Sequence, residues 1–130
     1  MWVTPDGRRV YHDEANEFDV YKIFRRDVLD GGDLSAGTPI PNLYVSGKNS
    51  TEPYLSADQT EIWFSSNRNG QSDIFHATTI DGGFVEDKSP VIDTTADERA
   101  PVISADRRTL YFASASGRKS CWRESKVNRS

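Results

Sequence analysis

The sequence predicts an all-β protein, a β-propeller segment of about three four-stranded antiparallel blades that form an incomplete ring. The first observation behind this is a repeat. Thr4-Pro5-Asp6-Gly7-Arg8-Arg9-Val10-Tyr11, Ser56-Ala57-Asp58-Gln59-Thr60-Glu61-Ile62-Trp63 and Ser104-Ala105-Asp106-Arg107-Arg108-Thr109-Leu110-Tyr111 align without gaps. Each reads hydroxyl, small residue or Pro, Asp, a polar run, then an aliphatic and an aromatic. The Asp anchors at 6, 58 and 106 set periods of 52 and 48 residues, the length of a propeller blade and not of a leucine-rich or helical repeat. The second observation is that Ile62-Trp63-Phe64 and Leu110-Tyr111-Phe112 are unbroken apolar triplets. Side chains alternate faces along a strand, so such triplets need cover on both sides, which a blade stacked between blades supplies. The third is that no run places apolar residues at i, i+3, i+4 and i+7 for long enough to make a helix.

The repeats divide the chain into 1–50, whose opening strand is truncated, 51–98, and 99–130, which is incomplete. The second is the cleanest. Pro53 to Ser56 reads as a short first strand, with Pro at its start where a missing N–H does little harm. Ala57-Asp58-Gln59-Thr60 is a turn in which Asp58 can bond its own backbone, and Pro5-Asp6-Gly7 is the stronger version. Glu61 to Ser66 is the second strand, rich in β-formers. Asn67-Arg68-Asn69-Gly70-Gln71 is hairpin chemistry, with Gly70 suited to positive φ. Asp73 to Thr79 is the third strand, Ile80-Asp81-Gly82-Gly83 a turn, and Phe84 to Ile92 the fourth strand. In the first repeat Asp19-Val20-Tyr21 stands in line with Asp73-Ile74-Phe75, and Asp33 to Gly37 reads as a longer loop before the fourth strand. In the third, Pro101 and Ser104 lead into Asp106 and Phe112, Ser120-Cys121-Trp122 replaces the Asp-Ile-Phe triplet, and a fourth strand is missing.

These residues resemble the PD40 or WD40-like propeller repeat, best known from the TolB C-terminal domain. Its pattern runs Pro, two residues, Ser-Pro-Asp-Gly, a strand ending Phe-x-Ser, Asn/Asp-Arg-x-Gly, then Asp-Ile-Tyr. Pro53, Ser56, Asp58, Phe64, Arg68, Gly70, Asp73 and Phe75 match it in the second repeat; Pro5, Asp6, Gly7, Asp19 and Tyr21 match in the first, and Pro101, Ser104, Asp106 and Phe112 in the third. The turn Gly is replaced by Gln59 and Arg107. The resemblance implies a ring of six blades, of which two blades and fractions are present. Open blade faces would then be available for self-association, since a monomer rarely leaves large apolar patches in water.

The rest of the chain narrows the function. With 35% hydrophobic and 11% aromatic residues it has the material for a core, and a net charge of −4 argues against a nucleic-acid partner. Arg118, Lys119, Arg123, Lys126 and Arg129 read as a solvated basic end. The lone Cys121 makes neither an internal disulfide nor a zinc framework and is expected to be a buried, inert thiol. No apolar run approaches the ~18 residues of a membrane span, and Met1 to Asp6 lacks the basic start and apolar stretch of a signal peptide.

Candidate sites are few. Asn67, Asn69 and Asp73 alternate as oxygen donors, but calcium loops want several carboxylates and a bidentate Glu, so turn formation is the better reading; Asp93, Asp97 and Glu98 read as a solvated loop. Arg68 and Asp73 are expected to face each other across the hairpin, which makes Asp73 structural. His12 and His76 fall on or beside strands without a Ser or Cys partner nearby in sequence, and no Gly-x-Ser-x-Gly elbow occurs. No catalytic, cofactor-binding or metal residue is therefore assigned and no cofactor is expected. The reading is a non-enzymatic scaffold for protein–protein interaction. The resemblance implies a bacterial periplasm or cell envelope, with a lipoprotein or outer-membrane protein as partner. The competing reading is the propeller portion of a serine peptidase of the prolyl-oligopeptidase type, or of a propeller lyase, with its catalytic residues outside this chain.

Overall fold

In the computed structural model the described residues are 1–80, 83–86, 90–92, 96–116 and 119–127, and for 80, 86, 116 and 119–121 the description is limited to the backbone. They contain eleven strands in three antiparallel sheets and no helix. Blade 1 has β1 (Trp2–Val3), β2 (Arg9–Ala15), β3 (Tyr21–Asp27) and β4 (Thr38–Pro39); blade 2 has β5 (Ser50–Leu55), β6 (Glu61–Ser66), β7 (Asp73–Ile80) and β8 (Gly83–Glu86). Blade 3 has β9 (Asp97–Ile103), β10 (Thr109–Ser116) and β11 (Lys119–Lys126). Within each blade the strands run in chain order as a meander.

The repeated motif is a turn built three times from the same bonds. The hydroxyls of Thr4, Ser56 and Ser104 donate to the carboxylates of Asp6, Asp58 and Asp106 at 2.7, 2.8 and 2.6 Å. Each carboxylate also accepts a backbone N–H two residues on, from Arg8, Thr60 and Arg108, all at 3.0 Å. Each hydroxyl oxygen in turn accepts the N–H that opens the next strand, at Arg9, Glu61 and Thr109. Asp and a hydroxyl two residues earlier thus satisfy the donors of a reversing chain, which is why the pair recurs. These bonds, the hydroxyl's first, hold Asp6 and Asp106 below the usual carboxylate range.

Stacking of the blades makes two cores. Tyr11 and Ile23 of blade 1 meet Leu55, Ile62, Phe64, Phe75 and Ala77 of blade 2, with Ile40 and Leu43 from the connecting chain. Trp63 and Ile74 of blade 2 meet Ile103, Leu110 and Phe112 of blade 3. The triplet Ile62-Trp63-Phe64 alternates as expected: its ends face blade 1, its middle faces blade 3, and every residue of β6 is buried.

The strand boundaries differ from expectation in three places. Pro53 does not open a strand; it lies inside β5 at a register shift, and Pro101 occupies the same place in β9. The preceding residues, Glu52 and Ala100, have φ of 55° and 52°, so each forms a bulge where the ladder is already interrupted and a proline costs no hydrogen bond. The register also moves the third-strand alignment in blade 1. His12 pairs with Phe24 as Phe64 pairs with Phe75, so Lys22-Ile23-Phe24 takes the place of Asp73-Ile74-Phe75. Asp19 instead sits in the hairpin at φ 58°, in a turn closed like that of Gly70. In blade 2 the fourth strand ends at Glu86, and Ile92 returns as a single bridge to Ile74.

Candidate functional site

Two inter-blade contacts recur with the repeat, and between them they define a site. The first joins the turns. Gln59 and Arg107, standing where the pattern has Gly, both adopt the left-handed conformation (φ 61° and 60°), as Gly7 does at 72°. A side chain there is strained, and each one reaches the preceding blade. Gln59 Oε1 accepts from the Tyr11 hydroxyl at 2.9 Å and from Arg9 at 3.4 Å. Arg107 donates to Asp58 Oδ2 at 2.6 Å and to Glu61 Oε2 at 2.9 Å, and His76 Nε2 lies 3.1 Å from the other Glu61 oxygen. The missing glycines are therefore blade-to-blade latches.

The Arg107 guanidinium, then the Thr60 and Ser56 hydroxyls, hold the Asp58 carboxyl far below the usual carboxylate range, and Asp58 raises Arg107. A depressed carboxyl stabilises the fold above its unfolded value, near 3.9, and that contribution disappears as pH falls through the lower folded value. The pair is half exposed, so its worth is about 1 kcal/mol or less. Arg107→Ala should remove that much stability at neutral pH and flatten the acid limb of the stability curve. Denaturant titrations at neutral pH and below pH ~3 check this; an acid limb of unchanged steepness would assign the pH dependence elsewhere.

The second contact joins the strands. The N–H of bulge residue Glu52 donates to Asp13 Oδ2 at 2.8 Å, and that of Ala100 donates to Ser65 Oγ at 3.2 Å. Asp13 and Ser65 occupy the same place in their blades, the seventh position after the Asp anchor. At this end of the seams lies a cavity of about 350 Å³ lined by Asp13, Tyr21, Asn49, Thr51, Glu52, Ser66, Asn67, Ser72 and Arg99. Most of its polar atoms are committed to the fold. Asn49 accepts from the Tyr21 N–H, Asn67 from the Asn49 N–H, and the Ser66 and Ser72 hydroxyls donate to the Asn49 and Glu98 carbonyls. Asp13 Oδ1, Glu52 and Arg99 are not: no ion pair among the described residues involves them.

The cavity thus offers charge of both signs over a floor of amides and hydroxyls. It suits a polar, charged segment of a partner better than an apolar ligand.

The sequence-predicted residues fall mainly in the scaffold. Asn67 and Asp73 spend acceptor capacity on Asn49 and Gln71, and Asp97 accepts the Ser72 N–H. No group of three His, Cys, Asp or Glu among the described residues is placed to hold a metal. His12 accepts from Arg26 Nε at 2.9 Å and stacks on Phe24. Arg68 donates to Ser66, Ser50 and the Leu43 carbonyl. The expectations for the Cys121 thiol and for Asp93, Arg118 and Arg129 lie outside the described residues. Asp13, Glu52 and Arg99 were not singled out by sequence; a signal was present in the residue before each repeated Pro and in the seventh position after each Asp, read together.

No protein-family model matches the chain, and no curated protein matches it in sequence. Solved structures do match. A protein described as TolB from Agrobacterium tumefaciens is similar at a TM-score of 0.67 and 25% identity, over 87% of this chain and 36% of that one. TolB from Acinetobacter baumannii is similar at a TM-score of 0.67 and 15% identity, over 96% of this chain and 29% of that one. The chain therefore spans about a third of the length of these proteins. With its three stacked meander sheets and no ring closure, it has the fold of a segment of a TolB-like β-propeller.

Proposed function

We propose that this chain is a non-enzymatic PD40-type propeller scaffold for protein–protein interaction within a bacterial cell-envelope protein, working in the periplasm. The observation that carries the reading is the cavity at the blade seams. Its frame is fixed by repeated backbone clasps, while Asp13 Oδ1, Glu52 and Arg99 are left to meet another molecule. Rigid propellers present their binding groups in this way, on loops and strand ends held by the blades. Likeness to TolB structures supports the envelope setting, and with it an envelope lipoprotein or outer-membrane protein as partner.

The test is a photoreactive residue placed at Arg99, with the same group at exposed Leu29 as the control, incubated with detergent-solubilised bacterial envelope proteins. The expected product is an adduct at 99 containing a lipoprotein or outer-membrane protein, absent at 29 and lost when Glu52→Lys reverses the cavity's charge. Equal adducts at both positions, or none, would overturn the reading.

A further inference from the structure

The two outer faces of the stack are unlike. On the side of blade 1 away from blade 2, pairing sets Val10, His12 and Glu14 beside Arg26, Phe24 and Lys22. Where blade 2 has Phe64 and Ala77, this face has His12 and Arg26. The Arg26 guanidinium bonds His12 at 2.9 Å and the Ser35 carbonyl at 3.0 Å, and lies 3.5 Å from Glu14. A polar face with its groups already paired is how a terminal repeat stays in water.

Blade 3 is the opposite case. On its side away from blade 2, Tyr111 pairs with Glu124, Ala113 with Trp122, and Thr109 with Lys126. Trp122 takes the register place of Ile74, which is fully buried, and yet is 64% exposed; Tyr111 takes that of Trp63 and is 41% exposed. The face also lacks the clasp used at both internal seams, because Ala113 stands where blades 1 and 2 have Asp13 and Ser65. It can accept no bulge N–H from a blade stacked in the same way. What it carries instead is an apolar centre with Glu124 and Lys126 side by side on one strand.

We infer that this face of blade 3 joins a second copy of the chain in a two-fold dimer. Opposite charges two residues apart on one strand are self-complementary: setting the two β11 strands antiparallel brings Glu124 of each copy to Lys126 of the other. The same surface then serves both partners, as a two-fold contact requires. Joining blade 3 to blade 1 head to tail would instead set Trp122 against the paired His12–Arg26 face. Eight residues at about 3.4 Å and three strands about 4.8 Å apart give a face of roughly 27 by 14 Å. Two such faces bury on the order of 1,000 Å², the low end for a specific complex, so the dimer forms reversibly with concentration. The inference rests on the fold and stands apart from the proposed partner site.

The experiment is solution molar mass by light scattering on a sizing column over a concentration series. Wild type is expected to approach twice the chain mass at high concentration. Trp122→Glu should stay at one chain mass, while Phe18→Glu, which removes an exposed aromatic elsewhere, should dimerise as wild type does. Glu124→Lys alone should weaken the dimer at least tenfold, and Glu124→Lys with Lys126→Glu should restore it. A wild type that stays at one chain mass throughout, a dimer that survives Trp122→Glu, or a mass that climbs past two chains would each overturn the inference. Far-ultraviolet circular dichroism of each variant checks that the blades remain folded.

Discussion

Replacing Trp63 with alanine is expected to cost about 3–5 kcal/mol of stability and to loosen blade 3 from blade 2. Trp63 is fully buried at the centre of β6, and its ring faces blade 3 among Ile74, Ile103, Leu110 and Phe112, 4.9 Å from the His76 ring. Truncation removes an indole from a seam whose other contacts are aliphatic and leaves a cavity there, so transfer and cavity terms add. Against the 5–15 kcal/mol of a typical domain this is a large share. Trp122→Ala supplies the comparison within one chain: the same residue type, mostly exposed, should change monomer stability by no more than about 0.5 kcal/mol. Denaturant midpoints measure both. Hydrogen exchange locates the effect, with amides of Asp97–Ile103 and Thr109–Ser116 losing more protection than those of Arg9–Ala15. Uniform loss would mean that the three blades unfold as one cooperative unit, and a cost near that of Trp122→Ala would remove Trp63 from the seam.

Why Trp63 could be placed from sequence, and Glu52 could not, follows from what each signal reports. An unbroken apolar triplet bounded by turn residues demands two covered faces, and the repeat period says that the cover is another blade. The fold and the course of β6 were legible on that basis. The Ser/Thr-x-Asp turn was legible too, because its bonds close within a few residues. Bulges are set by the partner strand, so Pro53 read as a strand opener when it sits at an interruption of the ladder. Blade 1 was misaligned because its hairpin uses Asp19 at positive φ, and the eye matched that Asp to Asp73. Gln59 and Arg107 looked like losses of a motif. Their meaning lies across the seam, on Tyr11 and on Asp58 and Glu61, at separations that no local pattern encodes. Ile40 and Leu43 carry the same lesson: two apolar residues in a connection without regular structure complete the first core.

Arg68→Ala is expected to cost about 2–4 kcal/mol, a loss concentrated at the seam between blades 1 and 2. The hairpin Asn67-Arg68-Asn69-Gly70 turns its Arg inward. Its guanidinium donates to Ser66 Oγ at 3.0 Å, to the Leu43 carbonyl at 3.1 Å and to Ser50 Oγ at 3.3 Å, and it lies 4.5 Å from the centre of the Phe75 ring. Leu43 and Ser50 are at most 1% exposed, so water cannot replace the lost donor, and hydrogen bonds from a charged group are worth about 1.5–3 kcal/mol. One planar side chain therefore ties the chain leaving blade 1 to the hairpin of blade 2 and caps the aromatic core beneath. Lysine keeps the charge but not the fork, and its single ammonium cannot also lie flat against Phe75. Arg68→Lys should recover less than half of the loss. Urea titration of the two variants decides the matter. If lysine restores stability in full, the charge alone was needed, and the fork and the stacking contribute nothing; if alanine costs under about 1 kcal/mol, the seam is held by its apolar residues alone.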